Sequence, residues 1–247
     1  MMLFCCVGFA QDKEVMVVRQ TDGKEVRYDV TKVERVYVET ESPSPEVDYV
    51  DLGLSVKWAT CNLGASKPEE YGDYYGWGCT VPYATGDDVN WTKYFQKLGS
   101  TGTDWSDCGT DKDPLKDYVY PNNKSIAGTK WDVARKKLGG TWRMPTHEEQ
   151  QELMNADNCT WSWTTENGIN GYKVTSKKND NFIFLPAAGY RLGASLYHAG
   201  SHGNDWSSSP YLDVSDGAYF MSFDSSYFVW FIYGDRCFGH TVRPVLE

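Results

Sequence analysis

Seven cysteines and four histidines carry the strongest metal-binding and nucleophilic chemistry in this 247-residue chain. His147 and Glu148 could open the helix of a zinc protease, but position 151 is Gln, so the second histidine one turn on is missing. His198 and His202 have the spacing that would put two ligands on one helix face. Gly200 and Gly203 predict a loop there instead, and with it hydrogen-bonded or surface histidines. "DWSSSP", Asp205 to Pro210, lacks the Gly-x-Ser-x-Gly elbow that exposes a hydrolase serine. Beyond the first ten residues lie Cys61, Cys79, Cys108, Cys159 and Cys237, an odd number with no Cys-x-x-Cys pair. That argues against a zinc knuckle and leaves disulfide pairing open. No glycine-rich phosphate loop is present. The expectation is no catalytic residue, no metal and no cofactor.

Binding chemistry is better represented. Ten Trp and 17 Tyr exceed what a core of this size needs, and with 23 Gly they suit a loop-rich β protein that binds through its loops. A formal charge of −10 argues against nucleic acid or an anionic membrane as partner, because phosphate binding needs clustered Lys and Arg. The basic run Arg135-Lys136-Lys137 reads as a solvated helix end. From Gly189 to Glu247 short strand-like runs alternate with Gly/Ser/Asp loops loaded with Tyr, His, Trp, Asp and Asn. Trp58, Trp142 and Trp206 sit among small or strand-forming residues and are expected in the core. Tyr197, His198, Tyr211 and Tyr227 stand beside Gly, Ser or Asp and are expected at the surface. The uncharged run "YFVWFIYG" is apolar on both faces of a strand. Tyr227, Val229, Phe231 and Tyr233 would share one face, and Phe228, Trp230 and Ile232 the other. Gly234-Asp235 then marks a turn, so a loop over Phe231 to Phe238 is an open alternative.

These residues need a frame. Residues 1–10, "MMLFCCVGFA", are apolar and end with small residues at positions 8 and 10, as the tail of a secretory signal peptide does. Cys5 and Cys6 raise a lipoprotein alternative. Residues 11–40 alternate with period 2 around Thr21-Asp22-Gly23, a hairpin signal, with a further strand over Val33 to Val38. Residues 41–48 read as an acidic, proline-interrupted linker, and 49–247 as the main domain. In that domain the strand-like runs are "VKWATCNLG", "GYKVTS", "FIFLPAAGYR", "AYFMSFD", "YFVWFIY" and "TVRPVLE", with a loop-rich stretch from Gly72 to Asn123. Two helices are predicted. "THEEQQELMNA" has Thr146 as N-cap and Glu149 to close a capping box, and "WDVARKKLG" stops at Gly139-Gly140. No stretch reaches the roughly 20 apolar residues of a membrane helix.

Five segments in order, "VDLGLSVKWATCNLGASKPEEYGDYYGWG", "WDVARKKLGGTWRMPTHEEQQEL", "FIFLPAAGYR", "WSSSP" and "GHTVRPV", resemble the Fibrobacter succinogenes major paralogous domain family, from about Val50 to Glu247. The resemblance implies an α+β, C-type-lectin-like fold with short strands, two helices and long loops, preceded by the small β segment. That fold is related to the formylglycine-generating enzymes, which use paired cysteines, or histidine-bound iron in a related branch. This chain has only Cys237 in its last segment and lacks the iron-ligand histidines, so the resemblance implies fold without chemistry.

The tail also resembles the variable segment of receptors diversified by retroelements, whose lectin-like domain displays changing residues on a fixed scaffold. "WSSSP", "AYFMSF", "DSS", Arg236, Gly239 and "VRPV" look like scaffold. Tyr197, His198, Asp205, Tyr211, Asp213, Tyr227, Val229, Phe231, Ile232, Tyr233, Asp235, Cys237 and Phe238 fall where displayed residues would sit. Undiversified members share most of these motifs, so a fixed surface stays open too. The N-terminal β segment resembles short modules of exported Bacteroidetes proteins.

The expectation that follows is an exported, cell-surface or secreted, non-enzymatic recognition protein, an adhesin-like module whose partner is a protein or a surface glycan. The alternatives are an enzyme of the formylglycine-generating or iron-oxygenase type, and a structural cell-surface module with its aromatics buried.

Overall fold

The computed structural model describes residues 5–10, 13–19, 24–29, 47–119, 122–211, 213–226 and 228–247, with backbone alone for 228–232 and for most of the first two stretches. The chain divides into two compact units, Met1–Ser42 and Pro43–Glu247. In the first, β1 (Cys5–Ala10), β2 (Lys13–Arg19) and β3 (Glu25–Asp29) form an antiparallel meander. The pairing of Arg19 with Glu25 brackets the Asp22-Gly23 turn signal. The stretch read as a leader pairs along β2, from Cys5 with Val18 to Ala10 with Lys13. The expected strand over Val33 to Val38 lies outside the described residues.

The second unit mixes helices and strands. It opens with β4 (Tyr49–Val50) and β5 (Lys57–Ala59). The stretch expected to be loop-rich holds α1 (Trp91–Lys97), a 3-10 turn at Trp105–Asp107 and α2 (Lys116–Val119). Asn90 caps α1 by accepting from the Lys93 amide, a side-chain signal too short to stand out among so many polar turns. Then come α3 (Val133–Leu138), β6 (Trp142–Arg143) and α4 (His147–Met154). The Thr146–Glu149 capping box is formed on both sides, and α3 ends at Gly139 with φ of 69°, both as the sequence predicts.

The strands β7 (Cys159–Glu166), β8 (Ile169–Ser176) and β9 (Phe182–Pro186) form a meander. Asn167 and Gly168, both at positive φ, make the two-residue turn between β7 and β8. A small hairpin, β10 (Tyr190–Leu192) and β11 (Ser195–Tyr197), precedes the sheet of β12 (His202–Pro210), β13 (Gly217–Asp224) and β14 (Phe228–Asp235). The last strand, β15 (Val245–Leu246), inserts between β5 and β6, so Val245 faces both Trp58 and Arg143 and the two ends of the unit meet in one sheet.

Both faces of β13 contribute to the core. Ala218 and Phe220 of β13 join Trp77, Leu115, Trp142 and Trp206 in one cluster, while Met221 and Phe223 join Trp58, Trp161, Tyr172 and Val245 in another. Trp58, Trp142 and Trp206 are thus core residues, as their neighbours in sequence indicate. Polar groups stitch the interior. Arg243, fully buried, donates to Asn62 Oδ1 and to the carbonyls of Ala59, Thr60 and Phe184. The segments "RMPTHEEQ" and "WSSSP" hold each other. Ser208 donates its amide to Pro145 O, the His147 amide donates to Ser209 Oγ, and Gln150 Nε2 donates to Asp205 O. No helix among the described residues is long and apolar enough to cross a membrane.

Candidate functional site

Part of the set expected to face a ligand gathers in two groups. In the first, register places Tyr219 of β13 opposite Tyr233 of β14, the outer strand of its sheet. Tyr211, just past the end of β12, lays its ring on Tyr233 with centroids 3.9 Å apart and planes 9° apart. Tyr219 meets Tyr211 edge to face at 5.2 Å, and His147 stacks on Tyr219 at 4.0 Å. Rings from α4, the β12–β13 loop, β13 and β14 therefore form one row. Gly217 makes this possible: a Cβ there would stand 3.2 Å from Tyr233 Cδ2 and 3.3 Å from Tyr211 Cβ. Tyr233 keeps 48% of its surface exposed at the end of the row, with Val214 beside it at 39%.

Carboxylates rim this row. The Tyr211 phenol donates to exposed Asp213, and that bond, ahead of burial, pushes the phenol's pKa up. Asp235 is half-buried and lies two residues past Tyr233, on the same face of β14. Burial first, then the charge of Asp216, raises its carboxyl pKa. Among the described residues no Lys or Arg forms an ion pair with Asp213, Asp216 or Asp235.

The second group surrounds Tyr190. Its β11 partner Tyr197 stacks on it at 5.6 Å, Phe238 at 6.0 Å, and His198 lies 5.8 Å away. Backbone bonds in both directions between Arg191 and Gly239 fasten this hairpin to the C-terminal segment. Tyr197 is 43% exposed and His198 is exposed at a left-handed φ of 58°, in keeping with their polar, glycine-rich setting. His198 and His202 lie 4.5 Å apart between ring centroids, and His202 begins β12 rather than a loop. Its Nε2 approaches Asp224 at 3.7 Å. Among the described residues no three His, Cys, Asp or Glu side chains converge as a metal set.

Several expectations need correction. Asp205 is 1% exposed, and its carboxylate accepts from Thr241 Oγ1 at 2.6 Å; it organises the interior and faces no solvent. Cys237 is buried with Tyr94 and Phe95, and Phe238 is partly buried against the core. Cys237 is therefore interior, whereas half-buried Phe238 keeps its place against Tyr190. The loop alternative over Phe231 to Phe238 holds only for its end, since β14 continues as strand to Asp235 and the turn takes Arg236 to Phe238. Tyr227 lies outside the described residues. Val229, Phe231 and Ile232 lie on β14, where backbone alone is described.

Residues that the sequence assigns to scaffold, or to no role, also enter these groups: Tyr219, Gly217, Asp216, His147 and Tyr190. The run Ala218-Tyr219-Phe220-Met221 has no polar alternation to single out Tyr219; strand geometry alone puts it on the face opposite inward Phe220.

The enzyme alternative turns on the thiols. Cys79, Cys108 and Cys237 are buried in one cluster, and they are free thiols, as are Cys61 and Cys159. Burial pushes the Cys108 thiol up to about 11 and raises Cys79 and Cys237 further, so each stays protonated and weakly nucleophilic near neutrality. A cleft of about 460 Å³ lined by Val47, Cys61, Leu63, Lys137, Leu138 and Pro244 holds none of the expected site residues. In comparison with known proteins, no family model, no curated protein and no solved structure matches the chain.

Proposed function

We propose that this chain is an exported, non-enzymatic recognition protein whose C-terminal strands present a ligand-binding surface on a C-type-lectin-like scaffold. The observation that carries the reading is the Tyr211–Tyr233 stack, half in solvent at the edge of a sheet whose interior is fixed by buried Trp206. Aromatic rings held rigid at a surface supply large contact area at small entropic cost, which is how recognition surfaces obtain affinity. The resemblance of the chain to the Fibrobacter succinogenes major paralogous domain, and of its tail to diversified receptors, supports the same reading. The leader-like first residues support export.

The test is the double variant Tyr211→Ala, Tyr233→Ala, screened against glycan and peptide arrays beside the parent. Loss of parent ligands with an unchanged melting temperature supports a recognition surface. A large fall in melting temperature would instead make these rings part of the fold's support and favour a structural module.

A further inference from the structure

We propose that the Tyr211–Tyr233 platform, with Asp213, Asp216 and Asp235, binds an arginine-bearing segment of a partner protein. The inference rests on the recognition reading and names the ligand chemistry of that site. Aromatic faces attract cations through the ring quadrupole, and a planar guanidinium can stack on a tyrosine while bonding to a carboxylate. Tyr233 offers such a ring at the surface, with Asp235 on its own strand face and Asp213 hydrogen-bonded to the ring beneath.

Charge complementarity decides the occupant. Between Gly189 and Glu247 the only basic residues besides histidine are Arg191, Arg236 and Arg243. Arg236 and Arg243 are fully buried. Arg236 pairs with Asp113, and Arg243 donates to the interior groups named above. Arg191 lies over the Tyr74 ring. Among the described residues none of them forms an ion pair with Asp213, Asp216 or Asp235. Burial first, and then repulsion from Asp216, raises the pKa of Asp235, and an incoming cation would relieve that repulsion. A neutral sugar ring would stack on Tyr233 equally well but would leave that repulsion in place.

Calorimetric titration of the full chain with a hexa-arginine peptide tests this, using hexaglutamate and a glycine-serine peptide as controls at about 0.15 M salt. The expected result is binding of the arginine peptide alone. Tyr233→Ala should weaken it tenfold or more, and so should the pair Asp213→Asn, Asp235→Asn, each with the melting temperature unchanged. Binding that needs the carboxylates but survives Tyr233→Ala is general attraction to an acidic chain and overturns the proposal. If the arginine peptide fails while a neutral glycan or peptide binds in a Tyr233-dependent way, the cationic ligand falls and the recognition reading stands. If no ligand of any class depends on Tyr233, both fall.

Discussion

His240 stacks on Phe220 at 4.4 Å between ring centroids, and neither of its ring nitrogens has a hydrogen-bond partner among the described residues. Trp206 closes on it at 4.2 Å, so the imidazole sits fully buried among aromatic rings. Burial lowers its pKa from 6.5 to about 3. Below about 6.5 the unfolded chain takes up a proton that the folded chain refuses. Stability is therefore whole above that pH and is lost progressively as pH falls toward 3. The loss at the acid end is of the order of a few kcal/mol. Urea melts of the parent and of His240→Leu at neutral pH and near pH 4.5 should show a smaller acid loss in the variant. Parallel acid losses would place the proton elsewhere.

Arg236 and Asp113 pair at 2.8 Å with both side chains fully buried, and the guanidinium lies 5.9 Å from the Trp77 and Tyr94 rings. Removing one partner strands the other charge in the interior. Asp113→Ala should cost about 3–5 kcal/mol in a urea melt. Arg236→Met combined with Asp113→Asn should recover part of that loss, because the amide oxygen can still accept from the Gly109 or the Leu115 amide. A single substitution costing under about 1 kcal/mol would mean that solvent reaches the pair.

Thiol chemistry separates the recognition reading from the enzyme alternative. Cys61 is half-buried, whereas Cys79, Cys108, Cys159 and Cys237 are buried. In a variant lacking Cys5 and Cys6, a thiol reagent followed by mass spectrometry should label Cys61 first. The other four should react only when the chain unfolds. Fast labelling of Cys237 in the folded protein would revive a reactive-cysteine site.

The turn between β7 and β8 isolates a purely backbone effect. Gly168 has φ of 87°, and a Cβ there would meet no atom within 4 Å. Gly168→Ala should therefore destabilise by about 1–2 kcal/mol through left-handed strain alone, measurable by thermal melt. No change would mean that the turn relaxes into another type.

Features written by neighbouring residues are legible in the sequence. The α4 capping box and the glycine end of α3 each depend on side chains within a few positions, and the pairing of β2 with β3 follows the period-2 alternation of the two strands. Asn167-Gly168 carries the same kind of signal, yet the expected strands include only the second arm of its hairpin, "GYKVTS". α1 is hidden for a different reason. Seven residues give little periodicity, and burial of Tyr94 and Phe95 rather than propensity holds it.

The candidate site divides in the same way. Composition points to the C-terminal segment, and residue type separates Trp206, in the core, from Tyr197, at the surface. Asp205 defeats that reasoning, because its burial depends on Thr241, a partner 36 positions away. The local elements, the acidic charge and the aromatic supply of the last strands follow from the chain alone. Which of those aromatics meet follows only from the fold, since Tyr211, Tyr219, Tyr233 and His147 become neighbours through strand pairing and the contact of α4 with β12. Side-chain type is local, but burial and juxtaposition belong to contacts between segments far apart in the chain.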